Sequence, residues 1–333
     1  MSVKITVPAT SANLGIGYDC LGMAVSLYSE FTFERADELQ ISGCPEKYRN
    51  ENNLVYRSFE LALAHWGEEP FPIKLHIDAA IPVSRGLGSS STCTVAGIMG
   101  AAALTGRIVG RAEAVSIATE MEGHPDNVAP AIMGSLVCSF TPQGELPNCI
   151  RYNVNPTLRF VTVIPPYEVK TEEARKIVPQ EVPLSTAVWQ MGRISGLTRG
   201  LESGDVRLIA AACDDKIQEP YRRELIPDYD EVREVCLNGG AATLWISGSG
   251  STLMAVTDDG LVAESLRARL QSMHPDFQVH VLECDTQGVR IHIQTRREDM
   301  PLGAFSYFDF GVQKGTTYGD FWPSAERACA FAC

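Results

Sequence analysis

Residues 73–104 constrain the fold more than any other stretch. Ile73, Leu75 and Ile77 alternate with polar residues, as a half-buried strand does, and the strand is expected over 73–79. The loop "IPVSRGLGSSST" (81–92) follows, leading into "SSSTCTVAGIMGAAAL", which is small and apolar enough for a buried helix. A strand, a glycine loop and a helix in succession leave the helix's first amide N–H groups and its positive dipole end facing the loop. Gly86 and Gly88 allow the backbone to approach an anion closely, and Ser89, Ser90 and Ser91 add hydroxyl groups. This is a phosphate site in principle, although the same pattern alone also serves as a plain helix cap. It is not a Walker A loop, because no Gly-Lys-Ser/Thr is present, and no G-x-G-x-x-G follows a strand. With no lysine in the loop, the charge of a bound polyanion has to be met in another way.

The rest of the chain mixes strands and helices without regular alternation, which favours α+β over a doubly wound sheet. Strand-like alternation recurs at Val3, Ile5 and Val7, at Val25, Leu27, Phe31 and Phe33, from Leu158 to Ile164, and at Val279 and Val281. Val55, Phe59, Leu63 and Trp66 share one helical face behind a capping Asn52 or Asn53, and Val115, Ala118 and Met121 share another. The Pro-rich stretch 142–156 is the expected domain boundary, and no internal repeat is evident. The formal net charge of −13 over 333 residues argues against nucleic-acid and anionic-membrane partners. No apolar run approaches the roughly 18 residues of a membrane span, and the N-terminus lacks a signal-peptide pattern, so a cytoplasmic protein is expected. The ten cysteines are scattered without C-x-x-C and read as reduced, mostly buried thiols, with no zinc site.

Two further glycine-rich stretches accompany the loop: "PATSANLGIGYDCLG" (8–22) and "SGSGST" (247–252). With "PVSRGLGSSST", which fits the pattern P-x-x-x-G-L-G-S-S, and with "EGHPDNVAPAIMG" (122–134), they make the chain resemble the GHMP small-molecule kinases, in particular the homoserine-phosphorylating members. The resemblance runs from about Val3 to about Ile291, with Tyr18 where Phe is commoner and Ser251 where Pro is often found. It implies a ribosomal protein S5 domain 2-like N-terminal domain (1–155), a ferredoxin-like C-terminal domain (156–295) and commonly a homodimer. It also implies ATP-dependent phosphorylation of the side-chain hydroxyl of L-homoserine, which serves threonine synthesis. Alternatives are a relative acting on another small alcohol, such as mevalonate or a sugar, and a non-catalytic ligand-binding relative.

The resemblance assigns ATP to Pro82, Val83, Ser84, Arg85, Gly86, Leu87, Gly88, Ser89, Ser90 and Ser91, and Mg²⁺ to Ser90 and Glu122. A hydroxyl and a carboxylate suit Mg²⁺, which keeps several waters and takes phosphate oxygens for the rest. For the acceptor it assigns Asp19 to the ammonium, Asn13 to the hydroxyl, and Thr171, Arg175 and Arg222 to the carboxylate end, with His124 and Asn127 bordering the site. Each charge-assisted bond to a carboxylate is worth about 1.5–3 kcal/mol. By residue type alone Asp19 is a turn residue, while Glu122, Arg175 and Arg222 are surface charges; the resemblance makes them functional. The catalytic set is Asn13, Asp19, Glu122 and His124. Asp19 acts either as an ammonium ligand, with catalysis by positioning and charge stabilisation, or as a base. His65, His76, His274, His280 and His292 read as structural. Residues 296–333 form an extension of unassigned role, and eight aromatics between 301 and 333 argue against a disordered linker there.

Overall fold

In a computed structural model, residues 2–143 and 145–294 are described; the aromatic-rich extension lies outside the described residues. Strand β1 (Ser2–Ala12) pairs antiparallel with the long β2 (Leu21–Arg35), placing Val3 opposite Phe33 and Ile5 opposite Phe31. A register shift between Pro8 and Ala9 bends this ribbon. The two ends of β2 then take different neighbours: β4 (Ile73–Asp78) along 30–35 and β5 (Leu136–Phe140) along 21–23. A short β3 (Gln40–Ser42) runs parallel to β4, and β6 (Asn148–Tyr152) pairs with β5. The last described strand, β11 (Arg290–Gln294), returns to the free edge of β1 and completes seven strands.

Helices α1 (Leu54–His65), α2 (Ser89–Thr105), α3 (Arg111–Glu122) and α4 (Pro125–Met133) accompany this sheet. Asn53 starts α1: its side-chain oxygen accepts a hydrogen bond from the Val55 amide at 3.0 Å. Phe31, Phe33, Phe59, Val95, Ile98, Val115 and Val128 form the core beneath. Twelve of the seventeen residues of α2 are buried, as its small apolar composition requires.

The second sheet has the order β10 (Gln278–Leu282), β7 (Arg159–Ile164), β9 (Leu253–Thr257), β8 (Thr243–Ile246), all antiparallel. Helices α9 (Tyr229–Asn238) and α10 (Gly260–Met273) pack on it. Before them come α5 (Thr171–Lys176), α6 (Leu184–Ser203), α7 (Val206–Ala212) and α8 (Glu219–Arg222). The mixed α+β organisation expected from the sequence is present. Phe140 pairs with Asn148 at the end of the β5–β6 hairpin, and the chain changes sheets between Tyr152 and Arg159. No described helix is long and apolar enough to cross a membrane.

Between the sheets lies an apolar cluster that draws Leu14, Leu21 and Met23 from one side and Phe160, Trp245 and Met254 from the other. Trp245 is fully buried, and its indole N–H donates to Ser11 Oγ at 3.3 Å. Trp245 thus ties the glycine-rich turn after β8 to the end of β1. His274, read from sequence as lacking partners, stacks on Phe277 with ring centroids 4.3 Å apart, and its Nε2 lies 3.6 Å from Glu231. Truncating Trp245 to Ala is expected to lower the unfolding free energy by about 3–5 kcal/mol. Urea denaturation checks this, and a loss below about 1 kcal/mol would contradict the role given to that side chain.

Candidate active site

The loop before α2 is held from two sides. The Thr10 amide donates to Leu87 O at 3.1 Å, the Thr252 amide to Arg85 O at 3.1 Å, and Ser247 Oγ to Gly86 O at 2.6 Å. The first and third glycine-rich stretches therefore grip the second. Gly86 and Gly88 both have left-handed backbone, with φ of 74° and 67°. A Cβ on Gly86 would lie 2.1 Å from Ser247 O, and one on Gly88 2.0 Å from Thr10 Oγ1. Only glycine lets the loop lie this close to both neighbours. Gly88 is the residue before α2, so the open amides of Ser89, Ser90 and Ser91 begin immediately after it. Pro82 is half-buried, Leu87 buried, and Val83 and Ser84 exposed. Arg85 turns away toward the other sheet: its Nε donates to Pro165 O at 3.1 Å and its Nη2 to Pro166 O at 2.5 Å. It clamps the loop in place through backbone carbonyls.

Glu122, the last residue of α3, reaches the start of α2. Ser90 Oγ and Thr94 Oγ1 each donate to Glu122 Oε1 at 2.8 Å, and Ser91 Oγ donates to Oε2 at 3.3 Å. The expected Ser90–Glu122 pairing is thus present as a juxtaposition. Thr94 is a further member, visible in sequence only as one helical turn beyond Ser90. One carboxylate ringed by hydroxyls is an all-oxygen donor set, which fits a hard divalent cation and not a soft one.

The second part of the site is built on the first stretch. Asn13, Leu14 and Asp19 all have positive φ, so the chain turns tightly there. Asn13 is buried; its Oδ1 accepts from the Asp19 amide at 3.0 Å, and its Nδ2 donates to Gly248 O at 2.9 Å. Arg222 is 2% exposed, and its Nη1 donates to the same Gly248 carbonyl at 2.9 Å and to Gln218 Oε1 at 3.0 Å. Its Nε donates to Ala174 O at 3.2 Å, and its guanidinium lies 5.0 Å from the Tyr18 ring centroid. Burial pulls the Arg222 pKa below the usual arginine value, while the nearby Tyr18 and Asp19 oppose that. Arg175 pairs with Asp19 through two parallel bonds at 2.9 and 3.0 Å. Thr171, at the start of α5, is exposed and lies 3.5 Å, oxygen to oxygen, from Ser249.

His124 precedes α4, and its Nδ1 donates to Asp126 Oδ1 at 2.5 Å. That hydrogen bond raises the His124 pKa above the usual histidine value, against a desolvation effect that lowers it. Asp126 is 2% exposed and was not singled out from the sequence. Asn127 Oδ1 accepts from Thr10 Oγ1 at 2.7 Å, which joins α4 to β1 beside Gly88. Asp215 and Gln218 were likewise missed. Asp215 Oδ2 accepts from the Gln218 and Glu219 amides at 2.8 and 2.7 Å and so caps α8, the helix that carries Arg222. Glu219 sits behind Gly15, its oxygen accepting from the Tyr229 hydroxyl, and burial pushes its pKa up to about 7.

Comparison with known proteins agrees with this geometry. Residues 53–135 match the family model of the GHMP kinases N terminal domain, and residues 197–276 match GHMP kinases C terminal. A homoserine kinase of Clostridium botulinum is 34% identical over 293 residues, covering 87% of this chain and 98% of its own. One from Clostridium beijerinckii is 36% identical over the same length and shares. The crystal structure of homoserine kinase from Cytophaga hutchinsonii aligns with a TM-score of 0.79 at 31% identity, covering 87% of this chain and 97% of that one. The mevalonate kinase of Methanococcus jannaschii, at 13% identity and a TM-score of 0.66, shares the fold.

Two outcomes are expected from the site's construction. Gly88→Ala combines a positive φ with a collision against the Thr10 side chain, so it should destabilise the protein by about 2 kcal/mol or more in chemical denaturation. The second concerns His124, whose raised folded-state pKa contributes stability that is fully present below about pH 6.5 and is lost as pH rises through the raised value. The stability gap between wild type and Asp126→Asn should therefore be widest in acid and shrink above that midpoint. A gap independent of pH would show that the pair does not carry the shift.

Proposed function

We propose that this chain, which belongs to the GHMP kinase family, transfers the γ-phosphoryl group of ATP to the side-chain hydroxyl of L-homoserine, giving O-phospho-L-homoserine for threonine synthesis. The observation that carries the reading is the meeting of the three glycine-rich stretches. Through Gly86, Gly248 and Asn13 they join the open amides at the start of α2 to a pocket containing Asp19, Arg175 and Arg222. Charges of both signs suit an amino acid better than an uncharged sugar, and better than a hydroxy acid without an ammonium. The homoserine kinases of two Clostridium species support the same substrate.

In this reading the phosphates rest on the amides of residues 88–91, with Gly86 and Gly88 allowing the approach. Ser90 and Glu122 would hold Mg²⁺, with Ser91 and Thr94 orienting the carboxylate. When bound, the ion offsets charge on the phosphate oxygens, a task that a loop lysine performs in other kinases. Asn13 orients the acceptor hydroxyl through the second hydrogen of its Nδ2, the first being fixed on Gly248 O. Arg222 meets the substrate carboxylate, and Gln218, Gly248 and Ala174 fix its direction. His124, held by Asp126, lines the rim.

Both Asp19 oxygens are engaged by the Arg175 guanidinium, which supports a ligand role over a base. Transfer then proceeds by alignment and charge stabilisation, and a loose transition state asks little of a base. We also propose the division into 1–155, 156–295 and 296–333, supported by the change of sheets after Tyr152, with β11 crossing back to the first sheet, and assembly as a homodimer, which light scattering would read.

A coupled ADP-release assay should give turnover with L-homoserine and little with mevalonate, shikimate or galactose, and none without a divalent ion. Equal turnover of mevalonate would overturn the substrate assignment. Glu122→Gln should lower kcat by about 10²–10³-fold and Ser90→Ala kcat/KM by about 10–100-fold. Asp19→Asn should raise the homoserine KM with kcat nearly unchanged. A drop in kcat at constant KM would instead make Asp19 the base.

A further inference from the structure

Asp19 and Arg175 lie 156 positions apart in the chain and meet in the pocket. Arg175 Nη1 donates to Asp19 Oδ2 at 2.9 Å and Nη2 to Oδ1 at 3.0 Å, a fork-to-fork arrangement that fills both carboxylate oxygens. The two side chains are 37% and 35% exposed, so the pair sits at the mouth of the site and not deep within it. Asp19 is held in place by its left-handed backbone and by Asn13, which accepts its amide. Arg175 rides on α5, a helix of six residues. α5 is tied to the pocket floor by the Ala174 carbonyl, which accepts from Arg222 Nε. Arg222 makes no hydrogen bond through Nη2 to a described residue, so one cationic donor is already open.

The seat assigned above to an ammonium is therefore filled by a guanidinium of the protein. The seat assigned to a carboxylate is filled by a carboxylate of the protein. We propose that the Asp19–Arg175 ion pair closes the acceptor pocket, and that only a zwitterion opens it without leaving a charge unpaired. The substrate ammonium replaces Arg175 on Asp19, and the substrate carboxylate takes the released Arg175 together with Arg222 Nη2. Each charge exchanges one partner for another. A ligand with a single charge cannot do this. A lone amine evicts Arg175 and strands it, and a lone carboxylate either takes Arg222 alone or draws Arg175 away and leaves Asp19 without its cation. Once a bound ligand shields the pocket mouth from water, leaving one of these charges unpaired is penalised more heavily than the pair itself is worth. Selectivity for an α-amino acid is thus built into the ligand-free state, beyond the contacts made in the complex.

This inference rests on the reading of the pocket as a homoserine site. It makes a prediction that two independently acting charges do not make. 3-Aminopropan-1-ol is homoserine without its carboxylate, and 4-hydroxybutanoate is homoserine without its ammonium. Their inhibition constants can be measured in competition with L-homoserine in the ADP-release assay, using the full chain. Arg175→Gln should weaken L-homoserine at least about tenfold yet tighten 3-aminopropan-1-ol about fivefold or more, because Asp19 no longer has to be vacated. Asp19→Asn should tighten 4-hydroxybutanoate by a similar factor while weakening L-homoserine. If both single-charge compounds bind the variants no better than they bind wild type, the exchange is wrong and the charges act separately. ATP affinity, measured in the same variants, should stay within about twofold of wild type and shows that the fold is intact. Wild-type turnover of L-homoserine separates the two levels: its absence overturns the site reading and the exchange with it, whereas its presence without the gain in Arg175→Gln overturns the exchange alone.

Discussion

The carbonyl of Gly248 accepts hydrogen bonds from Asn13 and from Arg222, both at 2.9 Å, and the organisation of the site depends on it. Its neighbour Ser247 donates to Gly86 O at 2.6 Å, and the Ser247 and Ser11 hydroxyl oxygens lie 2.9 Å apart. Three segments far apart in sequence, at 11–13, 86 and 222, are thereby fixed to one short turn between β8 and β9. A backbone oxygen can serve two buried donors because it has two lone pairs and no rotamer to lose. The fully buried Trp245 anchors the same turn, so the geometry is supported by packing as well as by hydrogen bonds.

A chain of net charge −13 that binds a polyanion has to concentrate its positive potential locally. Here the α2 amides supply partial charges at the loop, Glu122 is positioned to recruit a cation, and Arg85 engages backbone carbonyls. The full cations Arg175 and Arg222 stand on the acceptor side. Under the proposed function, this division would separate phosphate binding, through backbone and metal-type ligands, from acceptor recognition, through paired side-chain charges. It also explains the glycines: a cradle made of amides requires the chain itself to come close.

Much of this was legible in the sequence. The strand–loop–helix joint was, because hydrophobic period and glycine placement are local properties, and Gly88 does precede a helix beginning at Ser89. The Ser90–Glu122 juxtaposition followed from a family pattern and not from the residues' own chemistry. What was not legible depends on long-range contact. The Asp19–Arg175 pair, the burial of Asp126 and the capping of α8 by Asp215 join residues or set environments that no local pattern encodes. The return of β11 to β1 is of the same kind, since a five-residue strand carries no mark of which sheet it will join. Arg85 shows the opposite failure: its place in the phosphate loop suggested a ligand, and its guanidinium faces the carbonyls of Pro165 and Pro166.

The central claim is that the start of α2 receives the terminal phosphates beside the acceptor pocket. A crystal structure with a non-hydrolysable ATP analogue, Mg²⁺ and L-homoserine tests it most directly. The account predicts phosphate oxygens within hydrogen-bond distance of the amides of residues 88–91, with the acceptor hydroxyl facing the γ-phosphate from the Asn13 side. A nucleotide bound with its phosphates away from Gly88 would contradict it.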